Sequence, residues 1–248
     1  LWIGTNSGLV SWVWRGKAKA VHLGVADGLP SEQINALFED AQGRIWIGAR
    51  GGLGLVQKDN RLRVTAMANV LGSTATVLAI NGDIEGRIWV STINGLALLR
   101  AEGNSMSMRQ FSIKDGINAQ TYFSAIDDAH GSLWLCSNRG IVKVAKSQID
   151  KVLAGSPSQT EAVFFGRAEG MTTAQCNGAS QPAGWRTRNG RLLFPTARGV
   201  AVAGEQRDAV AIGVLARQAD RFVEVGSADD LQHGAEDLFL VAAEMRLH

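Results

Sequence analysis

Residues 39–53 read Glu39-Asp40-Ala41-Gln42-Gly43-Arg44-Ile45-Trp46-Ile47-Gly48-Ala49-Arg50-Gly51-Gly52-Leu53. An Asp ahead of a Gly–polar pair, with apolar runs on both sides, predicts a short hairpin turn. The apolar run around Trp46 then predicts a strand, and the Gly-Leu pair begins another. This unit recurs along the chain. Its aromatic or apolar centres are Trp2, Trp46, Trp89, Trp134 and Leu193, and its closing glycines stand at 8, 52, 95, 140 and 199. The steps between those glycines are 44, 43, 45 and 59 residues. Ile34 to Phe38 and Thr76 to Ile80 predict strands before the turn, and weaker strands follow around Leu62 to Val64 and Arg109 to Phe111. Four short strands in about 44 residues match the arithmetic of a β-propeller blade. Helical solenoids of similar period fail, because Gly and Asn-Gly pairs interrupt every candidate helix. The fold class expected is therefore all-β, a partial propeller of four-stranded antiparallel blades.

Composition agrees with this reading. The chain has 248 residues, 46% hydrophobic and 19% charged, which excludes a disordered or acidic-tail protein. Its 29 glycines with only four prolines call for many tight turns. The net charge of +2 gives no reason to expect nucleic acid or an anionic membrane surface as a partner. No apolar run approaches the roughly 18 residues that cross a bilayer, so membrane attachment is expected only through segments outside this chain. The abrupt opening Leu1-Trp2-Ile3-Gly4-Thr5, with no signal peptide, reads as a piece of a longer protein. Two cysteines exclude a disulfide scaffold and a cysteine-rich zinc site. Cys136 stands where another repeat has Gly48, as a small buried filler, and Cys176 opens the last repeat. Two unpaired thiols are the favoured reading, with a disulfide the alternative.

Trp2-Ile3-Gly4-Thr5 followed by Asn6-Ser7-Gly8-Leu9 resembles the two-component regulator propeller repeat. So does Asp27-Gly28-Leu29-Pro30-Ser31, followed by Ile34 to Asp40, Gly43 and Ile45 to Gly48. The resemblance covers residues 1–203. It implies the extracytoplasmic sensor region of a bacterial membrane receptor, periplasmic and homodimeric, with a histidine kinase or diguanylate cyclase module beyond this chain. The stretch from Phe165-Gly166 through Gln181-Pro182-Ala183-Gly184-Trp185 to Arg198-Gly199-Val200 resembles the closing blade of that family. There it precedes an immunoglobulin-like domain named for three tyrosines. Residues 1–204 would then be about four and a half blades of a seven-bladed ring, and 205–248 the start of a truncated or divergent β-sandwich. Strands are expected at Val210 to Leu215, Arg221 to Val225 and Asp237 to Val241. Tyr122 is the chain's only tyrosine, so the naming tyrosines are absent.

Catalytic signatures are missing from the sequence. There is no Gly-x-Ser-x-Gly elbow, phosphate-binding loop or His-Glu-x-x-His. His22, His130, His233 and His248 lack metal-ligand spacing, so no metal and no cofactor is expected. Asp40, Asp83 and Asp128 recur at turns, where a carboxylate caps backbone. In a propeller, the loop into each innermost strand and the turn between strands two and three open on one face. That face should gather Gln33, Asn35, Arg50, Tyr122, Arg139, Gln175, Asn177 and Arg198. Amides, an aromatic ring and guanidinium groups suit a polar or anionic small molecule or oligosaccharide. The expectation is a non-catalytic sensor; the rivals are a propeller lyase or hydrolase and a protein-interaction module.

Overall fold

The computed structural model describes residues 1–11, 20–58, 62–66, 75–102, 105–111, 115, 117, 121–155, 162–178, 181–206, 209–218 and 221–223. Among these, twenty strands form five antiparallel sheets, each a simple up-and-down meander. Sheet 1 holds β1 (Trp2–Thr5), β2 (Gly8–Ser11) and β3 (Val21–Leu23). Sheet 2 holds β4 (Ile34–Glu39), β5 (Ile45–Ala49), β6 (Gly52–Lys58) and β7 (Leu62–Ala66). Sheet 3 holds β8 (Val77–Gly82), β9 (Ile88–Thr92), β10 (Gly95–Glu102) and β11 (Ser105–Gln110). Sheet 4 holds β12 (Tyr122–Asp127), β13 (Ser132–Ser137), β14 (Ile141–Ala145) and β15 (Ala162–Phe165). Helix α1 (Lys146–Leu153) lies between β14 and β15. Sheet 5 holds β16 (Trp185–Arg186), β17 (Leu192–Thr196), β18 (Gly199–Gln206), β19 (Ala209–Gln218) and β20 (Arg221–Val223). The innermost strands β4, β8 and β12 pack in succession. These are the blades of a partial propeller.

Each blade wedges a large ring against the next. Trp2 packs with Ile34, Ile45 and Ile47 of sheet 2. Trp46 packs with Val77, Ile80 and Val90 of sheet 3, and Trp89 with Ala125, Leu133 and Leu135 of sheet 4. Trp134 does the same with Cys176, Leu192 and Phe194 of sheet 5. Trp46 and Trp89 are completely buried. Removing roughly 200 Å² of ring from water stabilises by about 5 kcal/mol per indole. These four rings lie in the clusters between successive sheets.

The turn ahead of each Trp strand is built from its Asp. Asp40 Oδ1 accepts from the Gln42 and Arg44 amides at 3.0 and 2.9 Å, closing the turn. Its Oδ2 accepts from the Trp46 indole N–H at 2.8 Å and from Arg44 Nε at 2.6 Å. Asp83 repeats this with Trp89 at 2.9 Å and Arg87 at 2.6 Å. Asp128 bonds Trp134 at 3.0 Å. Arg44 and Arg87 also lie over the rings of Trp46 and Trp89, and in sheet 4 Lys143 supplies the cation over Trp134. Where Leu193 replaces Trp there is no indole to bond, and Thr187 replaces Asp, its hydroxyl accepting the Arg191 amide at 2.9 Å. Burial pushes the Asp40 carboxyl up, but the bonds from Trp46 and Arg44 outweigh it and hold it below the usual carboxylate range.

Neighbouring blades are also joined by charge. Lys146 at the start of α1 is 4% exposed. Its ammonium reaches Glu85 at 2.6 Å and Asp127 at 3.0 Å. Asp127 Oδ2 in turn accepts from the Ile84 amide at 2.9 Å, so the turn of sheet 3 is fastened to sheet 4. Arg87 adds Asp150 of α1 at 2.9 Å.

Two expectations change. Cys136 and Cys176 form a disulfide, with Cα atoms 6.2 Å apart, so the reading of unpaired thiols is corrected. The reason lies in the blade-to-blade packing. The second residue after Trp2 and after Trp46 faces the first residue of the next innermost strand: a Cβ on Gly48 would sit 2.5 Å from Val77, and one on Gly4 2.6 Å from Ile34. Cys136 and Cys176 occupy that pair of positions in sheets 4 and 5, close enough to bond. The expected domain boundary at 204 falls inside a hairpin, because β19 pairs with β18 from Ala209 opposite Gln206 to Leu215 opposite Val200. Val210 to Leu215 is thus the fourth strand of sheet 5. Asp237 to Val241 lies outside the described residues.

Candidate ligand face

The turn between the second and third strands of a blade is a Thr/Ser-x-x-Gly device. The Thr5, Thr92, Ser137 and Thr196 hydroxyls donate to the carbonyls of Gly8, Gly95, Gly140 and Gly199 at 2.8 to 3.1 Å. The same oxygens accept from the amides of Ser7, Asn94, Arg139 and Arg198. These glycines adopt φ between 121° and 142°, a region that resists side chains. The turn therefore lifts its second and third residues into solvent, and Arg139 and Arg198 are exposed there.

The lead-ins to the innermost strands lie against these turns. The Gly8 amide donates to Glu32, the Arg50 amide to Gln33, the Gly51 amide to Ala75 and the Ile93 amide to Thr76. The Cys176 amide donates to Ser137 and the Ala197 amide to Gln175. Each turn is stitched to its own lead-in or to that of the next blade. Gln33, Arg50, Arg139, Gln175, Asn177 and Arg198 are consequently on one face, and all six are exposed. Among the described residues no carboxylate pairs with Arg50, Arg139 or Arg198.

Two of the eight expected residues are not presented to a ligand. Tyr122 is 2% exposed and packs in the core with Trp89, Phe111 and Ala125. Burial raises its phenol to about 12. It opens β12 at the position that Ile34 and Val77 hold in β4 and β8, where the side chain is buried. Asn35 is the extra residue of the register shift in β4, and its Nδ2 donates to the Val77 carbonyl at 2.9 Å. That amide ties two innermost strands together.

A separate cavity of about 300 Å³ lies away from this face, between β10, β11 and the end of α1, lined by Leu98, Arg100, Met108, Arg109 and Val152. Among the described residues no three His, Cys, Asp or Glu side chains cluster to hold a metal.

Residues 28–51 match the two-component regulator propeller. The chain is similar in structure to the extracellular domain of a hybrid two-component system, BT3049, of B. thetaiotaomicron, with 21% identity and a TM-score of 0.63. That similarity spans 81% of this chain and 26% of the other. A second such domain, BT4673 of the same organism, gives 16% identity and a TM-score of 0.66 over 90% of this chain and 30% of that one. Virginiamycin B lyase from Staphylococcus aureus, solved as an inactive variant with quinupristin, gives 13% and 0.56 over 85% and 64%. At these identities the likeness is one of fold. The chain spans under a third of the length of the two sensor-system domains. No curated protein matches it. Among the described residues no helix is long and apolar enough to cross a membrane.

Proposed function

We propose that this chain is a ligand-sensing portion of an extracytoplasmic propeller in a bacterial signalling receptor, and that it is not itself catalytic. The carrying observation is the row of exposed guanidinium groups of Arg50, Arg139 and Arg198, which have no carboxylate partner among the described residues and which the stitched turns hold on one face. Unpaired guanidinium forks bind carboxylate, sulfate or phosphate groups in two-point fashion. With Gln33, Gln175 and Asn177 on the same face, the occupant is a polar or acidic small molecule, such as an acidic oligosaccharide. The match at 28–51 and the fold shared with extracellular domains of two-component systems support the receptor setting. A buried disulfide supports an oxidising compartment, in keeping with the periplasm. In this reading the receptor is a homodimer, and its kinase or cyclase module and membrane segment lie outside these residues.

The test is a thermal-shift panel of neutral and acidic sugars and oligosaccharides, followed by calorimetry. Acidic members are expected to stabilise the chain saturably without being turned over. The double substitution Arg139→Ala and Arg198→Ala should weaken their binding at least about a hundredfold, each guanidinium contributing about 1.5–3 kcal/mol. Undiminished affinity in that variant would remove the face from consideration, and formation of product would favour the lyase reading.

A further inference from the structure

Sheet 5 carries an insertion that the other blades lack. In sheet 3, Val77 and Asn81 face Thr92 and Trp89 and are four residues apart. Their counterparts Cys176 and Trp185 face Thr196 and Leu193 and are nine apart, five more. The additional chain leaves the innermost strand after Cys176 and rejoins it at Trp185.

Its described residues do not turn outward. Ser124 Oγ of β12 donates to the Ala183 carbonyl at 3.1 Å. A Cβ on Gly184 would fall 2.6 Å from Ile126 Cδ1, and one on Gly178 would overlap the Phe123 ring. Gly178, Ala183 and Gly184 therefore lie against the innermost strand of sheet 4. Gln181 then reaches sheet 2. Its Nε2 donates to the Leu37 carbonyl at 2.8 Å, and its Oε1 accepts from the Leu37 amide at 3.1 Å, across 144 residues of sequence. A segment rooted in sheet 5 that touches the innermost strands of sheets 4 and 2 runs as a chord across the propeller axis.

We propose that residues 181–184, with 177 and 178 at their root, form a plug across the propeller axis, with Gln181 as its latch on the opposite wall. The chemistry of the latch follows from the position of β4. An innermost strand has no neighbour on its axial side, so its inward N–H and C=O groups need partners. A primary amide offers the same donor and acceptor pair as a peptide group. Gln181 thus serves Leu37 as a strand one residue long. The plug gives the loop face a floor, so a molecule bound there is expected to approach from that face. The plug's stem begins at Asn177, directly after the disulfide and one residue beyond Cys176, so the cross-link between sheets 4 and 5 also fixes the root of the plug. The plug stands whether or not the face binds an acidic ligand.

Amide hydrogen exchange resolved by residue tests it, on the full chain and on Gln181→Met and Gln181→Glu. Gln181 is exposed, so neither substitution disturbs a core. In the native chain the Leu37 amide is expected to be protected. In Gln181→Met it should exchange at least about tenfold faster, while amides that bond β4 to β5 keep their protection. Gln181→Glu retains an acceptor for the Leu37 amide and should fall between the two. Native protection of Leu37 in Gln181→Met would overturn the latch, and so would loosening spread evenly over β4.

Discussion

At the scale of the residue, the repeated Asp does three jobs with one carboxylate. At Asp40 and Asp83 it closes a turn, receives an indole N–H and balances an arginine that covers the same indole. The chain contains its own control, since Leu193 comes with Thr187 where Trp comes with Asp. Asp83→Ala would leave the Trp89 N–H without its acceptor, strip the Glu85 and Arg87 amides of theirs and free Arg87 Nε, while Glu85 and Asp150 still hold the guanidinium. Each unmet buried polar group costs about 1–3 kcal/mol, so a loss of about 3 kcal/mol is expected in urea unfolding. Thr187→Ala has no indole to strand and should cost about 1 kcal/mol. Equal losses in the two variants would show that the indole bond contributes nothing.

At the scale of the element, the contact between one blade's Trp strand and the next blade's innermost strand recurs with different chemistry. Gly4 faces Ile34, Gly48 faces Val77, and Cys136 is bonded to Cys176. The disulfide closes a span of 40 residues and stabilises by about 4 kcal/mol on a chain-entropy basis. Cys136→Gly with Cys176→Val should restore the packing found at Gly48 and Val77 and lose only the cross-link. Its urea midpoint is expected to match that of the native chain measured in reductant. A double variant much weaker than the reduced chain would mean that the Gly–Val pairing does not transfer between blades. This pair was legible in principle, because Gln175 and Asn177 align with Gln33 and Asn35 and so place Cys176 at Ile34. What the alignment of repeats lacked was the knowledge that this slot touches the one two residues beyond the preceding Trp.

At the scale of the whole molecule, stability rests on stacking that charge reinforces between blades. Burial pushes the Asp127 carboxyl up, but the Ile84 and Ala129 amides and Lys146 outweigh it and hold it below the usual range. Asp40 behaves likewise. A depressed carboxyl contributes fully above its unfolded value near 4 and loses that contribution as pH falls through its folded value. Burial lowers the Lys146 ammonium, but Glu85 and Asp127 more than reverse this and leave it raised. Its contribution is complete below about 10.4 and is lost only in stronger alkali. The urea midpoint should therefore be level from about pH 5 to 9 and fall below about pH 4. Asp127→Asn should soften the acid limb. A midpoint that holds steady to pH 2 would show that these carboxylates do not act as described.

The blades could be read directly from the chain because their determinants are local. A turn Asp, a turn Gly, a Trp six residues after the Asp and a second Gly at the next hairpin all act within one blade. Any copy of the pattern carries the same instruction, and the anchor role of Trp2, Trp46, Trp89 and Trp134 follows from it. Arg139 and Arg198 were readable for the same reason, since a Thr/Ser-x-x-Gly turn lifts its residues into solvent wherever it occurs. Tyr122, Asn35, the cysteine pair and Gln181 were decided elsewhere. Each depends on which residue of another blade stands opposite, whether across 42 residues for Asn35, 40 for the cysteines or 144 for Gln181. No local spacing encodes that distance; only the closing of the sheets around a common axis brings those atoms together.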